Sequence, residues 1–210
     1  MKLGIVGTGA MGKTMAVYAL EEGTFSQIHM IEPTETGCWP EERLDLLIDF
    51  SHPDALEGIC AYVKAQKSPV GIVFGTTGFT EEQEAAIAEL SSYGPVIKSY
   101  NYSYGINTLK KLLGYGMPLL ARRADIEIVE KHHNHKVDAP SGTARSLCRV
   151  LGLNPEDETA VQSLRMGTVY GEHTVYFAME DEVVEVRHTA LSKKIFAIGA
   201  LEAGKKLMND

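Results

Sequence analysis

LGIVGTGAMG, residues 3–12, decides the fold. An apolar run from Leu3 to Val6 ends in glycines spaced Gly7-x-Gly9-x-x-Gly12, and a helical stretch from Ala10 to Glu22 opens inside that turn. A glycine triplet between strand and helix is the context that binds a pyrophosphate. Gly7 permits the tight turn, Gly9 lets phosphate approach the backbone, and Gly12 lets the helix pack on the strand. The helix N-terminus offers its unpaired N–H groups to the same phosphates. Glu32 ends the next apolar run, QIHMIE (27–32), where a carboxylate meets the ribose hydroxyls of a bound dinucleotide. A glycine-rich turn without a ligand is the alternative, but strand, fingerprint, helix and acid coincide. No lysine or arginine follows Glu32 at Pro33-Thr34 to hold a 2′-phosphate, which favours NADH over NADPH.

Working outward, LDLLIDF (44–50), PVGIVFG (69–75) and PVIKSY (95–100) read as strands. Between them lie helical stretches over about 53–65 and 81–93. Near-continuous apolar strands alternating with helices predict a parallel sheet covered on both faces. The stretch 33–43, with two prolines and a glycine, reads as a loop crossover. GTTGFT (75–80) repeats the glycine-rich geometry at a strand's carboxyl end, where such sheets bind ligands. Gly75, Thr76 and Thr77 are expected on the nicotinamide side and Asn101 and Tyr102 on the same edge, with Thr80 capping the next helix.

The pattern changes near residue 103. A helix over 104–120, a strand over 124–133, a helix over 141–152 and a hairpin over 173–190 follow, then a last helix from about 193 to 208. The expected fold is α/β: a Rossmann-like dinucleotide-binding domain over 1–102, then an α+β domain over 103–190 with a mostly antiparallel open sheet. The C-terminal helix, about 191–210, is expected to pack back on the first domain.

Composition narrows the function. A net charge of −8 over 210 residues argues against a nucleic-acid partner, which needs a basic face. No apolar run approaches the roughly 18 residues of a membrane span. The three cysteines form no CxxC pair and Met1-Lys2 leads directly into a strand, so a cytoplasmic protein with reduced thiols is expected.

Three of the seven histidines fall in HHNHKVDAPSGTA (132–144). A metal site, an acid/base site and a solvated loop are the competing readings. The cysteines are not spaced to complete a zinc site, and His132 and His133, adjacent on a strand, point to opposite faces, so no metal is expected. The acid/base reading uses the neighbours. Ser141-Gly142-Thr143 opens a helix whose N–H groups suit a carboxylate. Asp138 serves as a cap or loop brace, Lys136 adds a cation, and histidine titrates near neutrality.

EKHHNHKVDAPSGTA, with GTTGFT, IDFSHPDAL and GTGAMG, resembles the 4-hydroxy-tetrahydrodipicolinate reductase family over nearly the whole chain. The resemblance implies reduction of a cyclic imino dicarboxylate by NADH or NADPH in the diaminopimelate route to lysine. It also implies a homotetramer built through the C-terminal sheets. His132 is then the general acid/base and Lys136 the proton donor, and which of them delivers the proton stays open. His133, Gly142 and Thr143 contact substrate, and Thr77 faces substrate and cofactor. The cofactor matches are Gly7, Thr8, Gly9, Ala10, Met11 and Gly12, then Glu32 and Phe50, then Gly75, Thr76 and Thr77, then Ser99, Tyr100, Asn101 and Tyr102. Departures are a shorter 33–43 stretch, Tyr102 in place of the more usual phenylalanine, and Lys193 where arginine is frequent. Another NAD(P)-dependent amino or imino acid dehydrogenase would share GTGAMG without the histidine string. A non-catalytic NADH sensor would bind without turnover.

Overall fold

The computed structural model describes residues 1–33, 38–120, 122–155, 157 and 159–209. The chain divides into two compact units, Met1–Tyr102 with Lys194–Asp210, and Ser103–Lys193.

The first unit is a five-stranded sheet of β1 (Lys2–Val6), β2 (Gln27–Ile31), β3 (Leu46–Asp49), β4 (Gly71–Phe74) and β5 (Val96–Lys98). Every pairing is parallel, in the order β2-β1-β3-β4-β5. Helices α1 (Ala10–Glu22), α2 (Leu56–Ala65) and α3 (Glu81–Glu89) connect the strands. The period of two explains the apolar runs. Leu3, Ile5, Leu46, Ile48 and Val73 face one core, while Val6, Leu47, Ile72 and Phe74 face the other. Each such side chain, removed wholly from water, contributes roughly 1.5–3 kcal/mol before entropy is counted. The C-terminal helix Lys194–Asn209 belongs to this unit, packing on α1 and on β3, β4 and β5 through Ala197, Ala200 and Leu201. The helix expected over 81–93 is α3 followed by a 3₁₀ turn at Leu90–Ser92. Its start is fixed by a capping box, with the Gln83 N–H on the Thr80 hydroxyl (3.3 Å) and the Thr80 N–H on Gln83 Oε1 (3.0 Å). Residues 38–43 carry no helix or strand, whereas 34–37, the rest of the expected crossover loop, lie outside the described residues.

The second unit opens with α4 (Tyr104–Leu120). It continues through β6 (Asp125–His132), α5 (Gly142–Leu151), β7 (Val161–Arg165), β8 (Glu172–Ala178) and β9 (Val183–Thr189), so the C-terminal helix is α6. The sheet order is β7-β6-β8-β9, antiparallel except for the parallel β6–β7 pair. That parallel pair requires a crossover, which α5 provides. Ile106, Leu109 and Leu113 of α4 and Leu147 and Leu151 of α5 bury Ile128, Val175 and Phe177 of the sheet. β7 has no counterpart among the strands expected from the sequence. VQSLR is a short edge strand in which Ser163 and Arg165 share a face with Val161, so alternation carries no apolar signal.

Candidate active site

At the carboxyl end of β1 the backbone makes the site. Gly7 sits at φ +105°, and a Cβ there would press on the Phe50 carbonyl. A Cβ at Gly12 would overlap the Gly7 carbonyl, so α1 touches the turn itself. Gly9 caps α1 without any side-chain cap bond and has open space around its Cβ position. The first N–H groups of the helix thus face outward from a bare turn, which fits a pyrophosphate. The Thr8 hydroxyl donates to Glu32 Oε2 (2.5 Å) and fixes the carboxylate expected at the ribose.

A cleft of about 410 Å³ lies beside this turn, lined by Met11, residues 50–53 and residues 75–78. Phe50, Gly75, Thr76 and Thr77 therefore share one concavity with Met11. Gly75 is required because any Cβ would enter the Phe50 ring. Ser51, His52 and Pro53 also line it, although the sequence singled out Phe50 alone of that stretch. Beneath it Asp49 is buried, and burial pushes its carboxyl up against hydrogen bonds from Ser51 and Thr76. Past β5, the Ser99 hydroxyl donates to the Asn101 carbonyl (3.0 Å) and Tyr100 is exposed. Tyr102 serves the core: its ring is enclosed beside Phe50 and its hydroxyl donates to the Phe74 carbonyl (2.8 Å).

In the second unit the histidine string begins where β6 ends. Alternation along the strand sets Glu130 and His132 on the same buried side. One Glu130 oxygen meets His132 Nδ1, and the other accepts from Arg165 Nη2 (2.8 Å) and the Ser141 N–H (3.3 Å). Burial alone would raise the Glu130 carboxyl, but the hydrogen bonds from His132 and Arg165 bring it to about 2. An ionised carboxylate only accepts, so His132 Nδ1 carries a proton. Nε2 is the ring nitrogen that Glu130 leaves open. Gly171, at φ +150°, lies against it, and a Cβ there would stand 3.1 Å away.

His173 from β8 stands edge-on to His132, with ring centroids 5.1 Å apart. Burial, and then the charge of His132, push His173 down to about 3, so it is neutral at neutral pH. Its Nε2 shares a hydrogen bond with the Ser141 hydroxyl (3.2 Å), which also accepts the Ala144 N–H (3.2 Å) as the N-cap of α5. Gly142 opens that helix and Thr143 is buried in its first turn. Lys136 donates to Asp138 Oδ1 (2.6 Å), so Asp138 braces the loop. His133 is pushed down by desolvation first and then by the nearby Lys193 ammonium.

Glu130, Arg165 and His173 escaped the reading of the sequence. Only Glu130 had a signal, two positions before His132 on the same strand. Ligand atoms of Glu130, His132 and His173 lie within 4.8 Å of one another, but Arg165 and His132 already hold the two carboxylate oxygens. The charge a cation would bring there is supplied by a guanidinium.

The described N-terminal and C-terminal halves match known proteins in turn. Residues 1–102 match the profile of dihydrodipicolinate reductase, N-terminus, and residues 105–210 that of its C-terminus. The 4-hydroxy-tetrahydrodipicolinate reductase of Exiguobacterium sibiricum is 40% identical, across 99% of this chain and 91% of that protein. Its counterpart in Thermosipho africanus is 40% identical across 100% of this chain and 92% of that protein. The solved structure of a dipicolinate-bound dihydrodipicolinate reductase from Paenisporosarcina sp. TG-14 has the same fold. Its TM-score is 0.71 at 20% identity, over 100% of this chain and 95% of that one. Profiles over both halves and relatives at this identity along the whole length place the chain in the dihydrodipicolinate reductase family.

Proposed function

We propose that this chain reduces 4-hydroxy-tetrahydrodipicolinate to tetrahydrodipicolinate with NAD(P)H, in the diaminopimelate route to lysine, using His132 and Lys136 for acid/base assistance. The observation that carries these roles is the buried His132, with Nδ1 committed to a carboxylate, beside a loop that bears Lys136. Bound NAD(P)H supplies the hydride. Overall, one hydride and one proton enter the substrate and its 4-hydroxyl leaves as water. Hydride addition to a conjugated imine builds negative charge on the ring nitrogen and the atoms conjugated to it. The Lys136 ammonium is the cation for that charge, and His132 Nε2, with Nδ1 held by Glu130, is the ring nitrogen left to pass a proton. The α5 N-terminus at Ser141, Gly142 and Thr143, with His133, is suited to the substrate carboxylates, and Thr77 lines the cofactor cleft.

NADH is the preferred reductant in this reading. Thr8 holds the Glu32 carboxylate at the end of β2, and an anion there repels a 2′-phosphate. The assembly is a cytoplasmic homotetramer, which light scattering tests; no described helix is long and apolar enough to cross a membrane. Loss of NADH absorbance on adding substrate freshly made by the preceding synthase tests the activity. The expected result is stoichiometric turnover with a higher kcat/KM for NADH than for NADPH. Binding of NADH without turnover overturns the reading in favour of a sensor.

A further inference from the structure

We propose that Glu130 and Arg165 form a positioning pair for the reaction: Glu130 fixes the tautomer and orientation of His132, and Arg165 ties that carboxylate to the loop carrying Lys136. The inference rests on the His132 and Lys136 roles given above.

Among the described residues, three of the four Arg165 hydrogen bonds reach the carboxylate and the loop; the fourth, from Nη1, goes to the Leu164 carbonyl (2.9 Å). Arg165 Nη2 donates to Glu130 Oε1 (2.8 Å) and to the Asp138 carbonyl (2.6 Å), and its Nε donates to the Lys136 carbonyl (3.3 Å). One planar guanidinium therefore spans the carboxylate behind His132 and both ends of the segment that carries the Lys136 ammonium. A lysine could not replace it, since a point ammonium lacks the fork. The pair stands on rigid ground. His132 and Arg165 are register partners on β6 and β7, and Glu130 is fully buried.

Stability alone explains this poorly. Taking a carboxylate and a guanidinium out of water costs much of what their attraction returns, and apolar replacements are often as stable. A carboxylate behind a working imidazole instead selects the Nδ1–H tautomer and favours the imidazolium at Nε2. The charged and titratable groups facing His132 are Glu130 on its own strand, Arg165 from β7, His173 from β8, and His133 and Lys136 from the following loop. Glu130 is the one anion in that set. Lys131 and Glu172 pair with each other (2.5 Å).

Kinetics and ¹⁵N-imidazole NMR on Glu130→Gln and Arg165→Lys, each checked for folding by circular dichroism, test the pair. Glu130→Gln is expected to lower kcat by about 10²-fold, with KM for NADH within about twofold. The alkaline limb of kcat should move to lower pH, because the anion that favoured the protonated acid is gone. The single Nδ1–H tautomer of His132 should become a mixture. Arg165→Lys should lower kcat about tenfold with the same tautomer mixing, and it carries the decision if Glu130→Gln does not fold. A folded variant with the wild-type pH profile and tautomer overturns the pair. His132→Ala separates the two claims: near-full turnover there sinks the acid/base role itself. Loss there, with Glu130→Gln unchanged, sinks the positioning pair alone.

Discussion

The two candidate sites in this chain are made of different material. In the N-terminal unit the turn after β1 is backbone: Gly7, Gly9 and Gly12 act by what they lack, and the groups presented are N–H donors at a helix end. In the C-terminal unit the determinants are side chains from three strands, with Glu130 and His132 on β6, Arg165 on β7 and His173 on β8. A backbone-built site needs only a local spacing and the absence of Cβ atoms. A side-chain site needs a register, because its members meet only when the strands pair correctly.

The sharpest way to break this comparison is a matched pair of substitutions. Lys136→Ala is expected to lower kcat by about 10²-fold or more while NADH affinity, read by fluorescence titration, stays within about threefold. Gly12→Ala should do the reverse, weakening NADH binding at least about tenfold, because the added Cβ overlaps the Gly7 carbonyl. Equal losses of turnover and NADH affinity in Lys136→Ala would contradict the assignment of that residue to the chemistry.

Acid sharpens it next, since buried groups in the two units respond with opposite signs. Folded His173 accepts a proton only near about 3 and Glu130 only near about 2, whereas their ordinary values are 6.5 and 4.5. Between those limits the unfolded chain binds more protons than the folded one. Stability from both groups is therefore present above the ordinary values and is lost as pH falls toward 3 and 2. Asp49 is raised by burial, so its contribution is present at low pH and is lost as pH rises through its folded value. Amide hydrogen exchange, corrected for intrinsic rates, should show the opening free energy of β6 and β8 falling between pH 7 and pH 4. His173→Asn should flatten that slope. A wild-type slope in the variant would mean that His173 is not the group responsible.

The same contrast explains what was legible in the sequence. β1, α1 and the Glu32 position were readable because every element of the fingerprint lies along one short stretch. The Thr80 cap was readable for the same reason. His132 and Lys136 were visible as residue types, but their partners were not. Arg165 lies 35 residues from Glu130, and His173 lies 32 from Ser141. β7 offered no apolar alternation to predict the strand that delivers the guanidinium. Glu130 was the missed opportunity: two positions before His132 on one strand, it had to share its face.

The finest test compares two helix caps of the same chemical kind. Thr80 caps α3 at the surface, and its loss in Thr80→Ala should cost about 1 kcal/mol, the usual worth of a cap. Ser141 caps α5 while buried, and its hydroxyl also meets His173 Nε2. Ser141→Ala removes the cap and also leaves a buried imidazole nitrogen without that partner, which adds on the order of 1 kcal/mol. Urea unfolding should therefore place Ser141→Ala about 1 kcal/mol below Thr80→Ala. Equal costs would mean that the Ser141–His173 contact contributes nothing. The side-chain network would then end at His132, without continuing to the start of α5.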